Sequence, residues 1–302
     1  MVTSPRQNSA VELFDIKNSY YIGNYQQCIK EAQKLKPSSP EVALERDIFL
    51  YRAYLAQKKL RIVLDEINQS SPSALQPLRL LAEYLSATSN QTKLLAALDE
   101  RMEKGHPSSD GPLGNQVAAT IYCQAGNWES ALRALHQDDD LESWAMVVCI
   151  YLSMDRVDLA RKQLKQMQEA DEDATLTQLA TAWLNIALGG DKLQDAFYIL
   201  QELVDKYGVS CQLLVGQAAC QVGLCRWEEA DSLLHDAQEQ DNADADAAIN
   251  AILVNHHFNK ITEANRMLTQ LKESSSKHRF VKDILAKEDE FDRLEAQYAA
   301  EK

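Results

Sequence analysis

Glycine and proline are scarce in this chain of 302 residues, which holds only 10 Gly and 7 Pro. That scarcity excludes collagen-like and low-complexity Pro/Gly-rich architectures, and it leaves few natural breaks for long irregular loops. Long apolar runs are also missing. The longest uninterrupted stretch, Trp144 to Leu152, falls far short of the roughly 20 residues a helix needs to cross a bilayer. The opening MVTSPRQNSA lacks both an apolar signal-peptide core and an Arg-rich amphipathic presequence, so a cytosolic chain is expected. The six Cys, at 28, 123, 149, 211, 220 and 225, form no CxxC pair and no zinc spacing, so free and mostly buried thiols are expected. No GxxxxGK[ST] loop, strand-borne GxGxxG, HExxH or GxSxG occurs, and neither catalysis, a cofactor, a metal nor a small-molecule substrate is expected. The adjacent His256 and His257 would point about 100° apart on a helix, which does not make one tight metal site.

What is present is helix-forming: 45% apolar and 25% charged residues, with Ala, Leu, Gln, Glu and Lys surrounding scattered β-branched residues. The formal net charge is −14, and it is unevenly placed: residues 1–120 carry 14 Lys and Arg against 13 Asp and Glu, residues 121–302 carry 17 against 32. Such a distal surface repels phosphate backbones and anionic lipid, so a protein partner is expected in place of nucleic acid or direct membrane insertion.

Internal repetition is visible. The segments YCQAGNWESALRAL, SMDRVDLARKQL, GGDKLQDAFYIL, GLCRWEEADSLL and NKITEANRML each place a small residue three positions after an aromatic or aliphatic one, at Ala131, Ala160, Ala196, Ala230 and Ala264. Cys28, Val63 and Leu95 extend the series toward the N-terminus, and the mean spacing is about 34 residues, the tetratricopeptide period. Polar breaks rich in turn and capping residues separate the units, as at PSSP (37–40), HQDDD (136–140) and GGDK (189–192). In the first helix of three pairs Ala119, Val148 and Ala218 replace the usual Gly. The pattern predicts an all-α tetratricopeptide-like solenoid of about eight antiparallel helix pairs. A disordered tail over 1–11, a single array over 12–302 with a hinge or long loop at 105–114, and a capping helix at about 281–298 complete the expected organisation. The concave surface, lined by the first helix of each pair, is the expected site for a protein segment. Repeat geometry assigns Gln116, Thr120, Gln124, Glu142, Cys149, Gln212, Ala219 and His256 to it. These positions lack the Lys, Arg and Asn with which a carboxylate clamp would hold acidic chaperone tails.

Beyond the generic repeat, ELFDIKNSYYIGNYQQCIKEAQ, ERDIFLYRAYLAQ and the stretch MDRVDLARKQLKQMQEADEDATLTQLATAWLNIALGGDKLQDAFYILQEL at 154–203 resemble the epsilon-subunit family of coatomer, the COPI vesicle coat. The resemblance runs from about residue 12 to the end and is weakest at 86–120. It implies a non-catalytic coat subunit bound to the C-terminal region of the coatomer alpha subunit, within the coat's heptamer. It also implies a cytoplasmic location, peripheral on Golgi membranes and coated vesicles, in retrograde Golgi-to-ER and intra-Golgi transport. The alternative is a free adaptor or co-chaperone that binds protein segments in its groove.

Overall fold

The computed structural model describes residues 12–68, 70–87, 90–103 and 111–299. Among them every regular element is helical. The order is α1 (Phe14–Tyr21), α2 (Tyr25–Lys34), α3 (Pro40–Ala56), α4 (Leu60–Glu66), α5 (Gln76–Ser86), α6 (Gln91–Glu103), α7 (Gly111–Ala125), α8 (Trp128–Leu135) and α9 (Leu141–Ser153). It continues with α10 (Val157–Ala170), α11 (Thr175–Leu188), α12 (Lys192–Tyr207), α13 (Cys211–Gly223), α14 (Trp227–Gln240), α15 (Ala245–His257), α16 (Ile261–Ser274) and α17 (Arg279–Ala299). Eight antiparallel pairs followed by one helix make the all-α solenoid that the repeat spacing predicts.

Local chemistry sets the boundaries. Ser39, Asp140, Ser210 and Asp244 each accept a hydrogen bond from the backbone N–H three residues on, capping the first helix of a pair, and Pro40 occupies the first turn of α3. The turn inside a pair is stereotyped. A left-handed residue sits two positions before the second helix at Gly23, Lys58, Gly126, Asp155, Cys225 and Asn259. The following N–H bonds a carbonyl five residues back, as from Asn127 to Tyr122 at 2.9 Å and from Arg156 to Tyr151 at 2.8 Å. Between α11 and α12 both Gly189 and Gly190 adopt positive φ, a double requirement that only glycine meets without strain.

The small-residue register proves to be the packing register. Cys28, Val63, Ala131, Ala160, Ala196, Ala230 and Ala264 are all fully buried, as are Ala119, Val148 and Ala218 on the facing helices. Small side chains at these crossings let the two helices approach closely, and larger ones such as Leu164, Met167, Leu200 and Leu234 fill the layers between. Leu95 is the exception. It is only half-buried, and Leu98 on the same helix enters the core, because α6 pairs loosely in this divergent stretch. The four Trp pack, partly buried, against these cores.

The chain divides into two compact units after Val209. Of the expected loop at 105–114, residues 111–114 form the first turn of α7, where Pro112 is well tolerated, and the remainder lies outside the described residues. The expected tail at 1–11 also lies outside them. Cys28 and Cys220 are buried, Cys123, Cys149 and Cys211 partly so, and Cys225 is exposed because it occupies a left-handed turn. No described helix is long and apolar enough to cross a membrane.

Candidate protein-binding cleft

The first unit curls until its first helix meets its later ones. α1 packs against α11, Thr175 Oγ1 donates to Asn18 Oδ1 at 2.7 Å in a buried contact, and the Phe14 and Tyr207 rings lie 6.5 Å apart. Inside this curl is a cleft of about 910 Å³ walled by α1, α3, α7 and the N-terminal ends of α9 and α11.

Aromatic and charged groups share its walls. Phe14, Lys17, Asn18 and Tyr21 fall on one face of α1, and Glu45, Ile48, Phe49 and Arg52 on one face of α3, each at the spacing of an inward helical stripe. The Arg52 guanidinium lies 4.7 Å from the Tyr20 ring centroid and 5.2 Å from that of Phe49, and donates to Glu142 at 2.7 Å. Tyr21 Oη also donates to Glu142. Burial alone would push the Glu142 carboxyl upward, but the Arg52 charge and the hydrogen bonds from Tyr21 and Arg52 outweigh it and hold it below the usual carboxylate range. Its place in the first turn of α9 adds the favourable field of the helix N-terminus. The Tyr21 hydroxyl is pushed up by burial and by the same carboxylate. Among the described residues the cleft's two cations are both paired internally, Lys17 with Glu45 and Arg52 with Glu142. Asp140, Asp171 and Asp173 then leave the walls net acidic.

Two polar atoms on these walls have no partner among the described residues: Asn18 Nδ2, a donor, and Asp140 Oδ1, an acceptor. Asn18 is only 6% exposed. Orphaned buried polar atoms cost on the order of 1–3 kcal/mol each and are the atoms that gain most from an incoming partner.

Four of the eight candidates from repeat geometry come together here. Glu142 and Gln116 line the large cleft; Gln116, Thr120 and Gln124 line an adjoining pocket of about 210 Å³ that also touches Arg52 and Leu113. Gln116 donates to Asp140 at 3.0 Å and to Ser143 at 3.3 Å, and Thr120 returns its hydroxyl to the Gln116 carbonyl. Cys149 does not line the cleft; burial first, then the neighbouring Cys123, pushes its thiol up to about 12. Gln212, Ala219 and His256 belong to the second unit. There His256 and His257 are exposed, and His257 stacks on Trp227 at 3.9 Å. Asp140 caps α9, whereas Asp171 accepts from the Asp173 N–H in a tight turn before α11. Sequence reasoning missed Phe14, Lys17, Asn18, Tyr21, Arg52 and Thr175. A signal existed: charged residues stand inside the aromatic stripes of α1 and α3, where a purely structural stripe would be apolar.

A helical-repeat scaffold with a lined interior cleft, and no assembled catalytic group among the described residues, defines a tetratricopeptide-type protein. Two solved structures share this fold alone: a tetratricopeptide repeat protein from Parabacteroides merdae (TM-score 0.55, 11% identity, 93% of this chain and 98% of that one), and a chain of the APC/C hetero-tetramer Cut9-Hcn1 (TM-score 0.60, 13% identity, 95% and 57%). A family model described as "Coatomer epsilon subunit" matches residues 9–299. Coatomer subunit epsilon-2 of Arabidopsis thaliana is 35% identical over 286 residues, 93% of this chain and 94% of that protein. Coatomer subunit epsilon of Caenorhabditis elegans is 37% identical over 289 residues, 94% and 98%. The chain belongs to the coatomer epsilon-subunit family, a family of COPI coat subunits and not of enzymes.

Proposed function

We propose that this chain binds the C-terminal region of the coatomer alpha subunit in the cleft of its first unit. That attachment would serve retrograde Golgi-to-ER and intra-Golgi transport from the cytosolic face of Golgi membranes. The observation that carries the reading is the pair of unpartnered atoms, Asn18 Nδ2 and Asp140 Oδ1, on residues that line the same cleft as Phe14, Tyr21, Phe49 and Tyr207. A peptide segment offers one C=O and one N–H per residue, the complement of that donor and acceptor, while the rings supply apolar contact. The acidic walls favour a neutral or basic segment over an acidic tail.

A permanent coat interface buries above roughly 2,000 Å² and is largely apolar, so the complex should resist salt. Pull-down of the alpha C-terminal region by the full-length chain, at low and high ionic strength, tests this. Retention at both, with loss in Phe14→Ser, is the expected result; Phe14 is 53% exposed and so removable without unfolding the chain. Absence of a complex at either ionic strength would sink the reading.

A further inference from the structure

The capping helix expected over 281–298 falls within α17, whose packing against the rest of its unit is confined to its first turns. Val281 is buried with Ile252, Ala264 and Leu271, Phe280 packs beside it, and Lys272 of α16 reaches Glu288 at 2.7 Å. From Leu285 to Ala299 every residue is exposed. An isolated helix of about four turns is marginal in water, yet apart from Leu285, 40% exposed, its large apolar residues fall in line. Phe291, Leu294 and Tyr298, exposed at 68%, 51% and 65%, continue the line of Phe280 and Ile284 with heptad spacing. Ile284, Phe291 and Tyr298 fall at one seam position, and Phe280, Lys287 and Leu294 at the other.

We propose that this seam docks a basic amphipathic helix of another protein. Charge selects the occupant. Asp283 and Glu290 flank the seam on one side, Glu288 and Glu295 on the other. A second copy of α17 would set these carboxylates against each other: Glu290 faces Glu295 of the other copy in a parallel pair, and each flank faces itself in an antiparallel one. Both arrangements are repulsive. A helix with Lys or Arg along its flanks meets the acidic edges with the opposite sign and covers the three exposed side chains. Lipid fits poorly, because helices that lie on membranes carry basic polar faces and anionic headgroups repel carboxylates. The surface belongs to the second unit, whereas the cleft belongs to the first.

The test uses the full-length chain and a synthetic helix of about 21 residues with Leu at the two seam positions and Lys at the flanks, which like-charge repulsion keeps monomeric. Its Glu-flanked counterpart is the control. Fluorescence anisotropy at physiological salt should give binding to the Lys peptide alone, weakened at least about tenfold by Phe291→Ser with Leu294→Ser, and by Glu290→Lys with Glu295→Lys. Amide exchange should slow over residues 285–299 on binding. These side chains are exposed, so circular dichroism should report an unchanged fold. Equal affinity for wild type and the Ser variant, or no slowing over 285–299, would mean that the peptide adheres elsewhere by charge and would overturn the proposal. So would sedimentation showing wild-type dimers that the Ser variant abolishes, or vesicle binding lost in that variant.

Discussion

Asn18 on α1 and Thr175 on α11, 157 residues apart in the chain, share a buried hydrogen bond of 2.7 Å. This bond ties the start of the first unit to its far side and holds the cleft walls in register. Removing the Thr175 hydroxyl leaves Asn18 Oδ1 without its donor, and removing Asn18 leaves Thr175 only the longer 3.3 Å contact with the Tyr207 hydroxyl, so the pair should couple. A double-mutant cycle of Asn18→Ala and Thr175→Val, followed by urea unfolding, should return about 1 kcal/mol of interaction. Strict additivity would mean that the contact contributes nothing.

The Arg52–Glu142 pair, with side chains 17% and 19% exposed, should behave as a nearly buried ion pair. Arg52→Met would strand Glu142 and destabilise the first unit by about 3–5 kcal/mol, while the double change Arg52→Met with Glu142→Leu should recover much of that. Thermal melts of the three variants decide it.

Acid should weaken the same site. Glu142 titrates lower in the folded chain than in the unfolded one, so its contribution is complete above the unfolded carboxylate value of about 4.3. It is lost as pH falls through the folded value. Stability measured from pH 6 to pH 3 should decline less steeply in Glu142→Gln than in wild type; identical slopes would remove Glu142 from the account.

The crossing register makes a positional prediction. Ala160 and Ala230 are fully buried between paired helices, and Arg at either site should cost on the order of 3–5 kcal/mol by burying an unpaired charge. Leu95→Arg, on a half-buried site, should cost markedly less. Melts in which Leu95→Arg matches the two Ala variants would show that α6 packs like the other second helices.

Cysteine reactivity should follow exposure. All six thiols are free and should alkylate completely after denaturation without reductant. In the native chain Cys225 should react first, and Cys28 last, since its thiol is buried and pushed up to about 12 by that burial. Timed alkylation with peptide mass spectrometry gives the order.

The sequence by itself determined the helix pairs, their period and their crossing residues. Each depends on neighbours a few positions away: a cap three residues before its N–H, a left-handed turn two residues before a helix, and a small side chain one turn into the second helix. It also placed Gln116, Thr120, Gln124 and Glu142 on an inner face. Only the tertiary structure decided that α1 meets α11 and that Arg52 and Tyr21 converge on Glu142. The curl sums small rotations from one repeat to the next, so no single residue encodes it, and partners 121 residues apart such as Tyr21 and Glu142 leave no local trace. The end of the chain makes the same point. The heptad seam of α17 is legible as a pattern, but a seam reads alike whether a neighbour covers it or water does, and only packing against α15 and α16 settles where the cover stops.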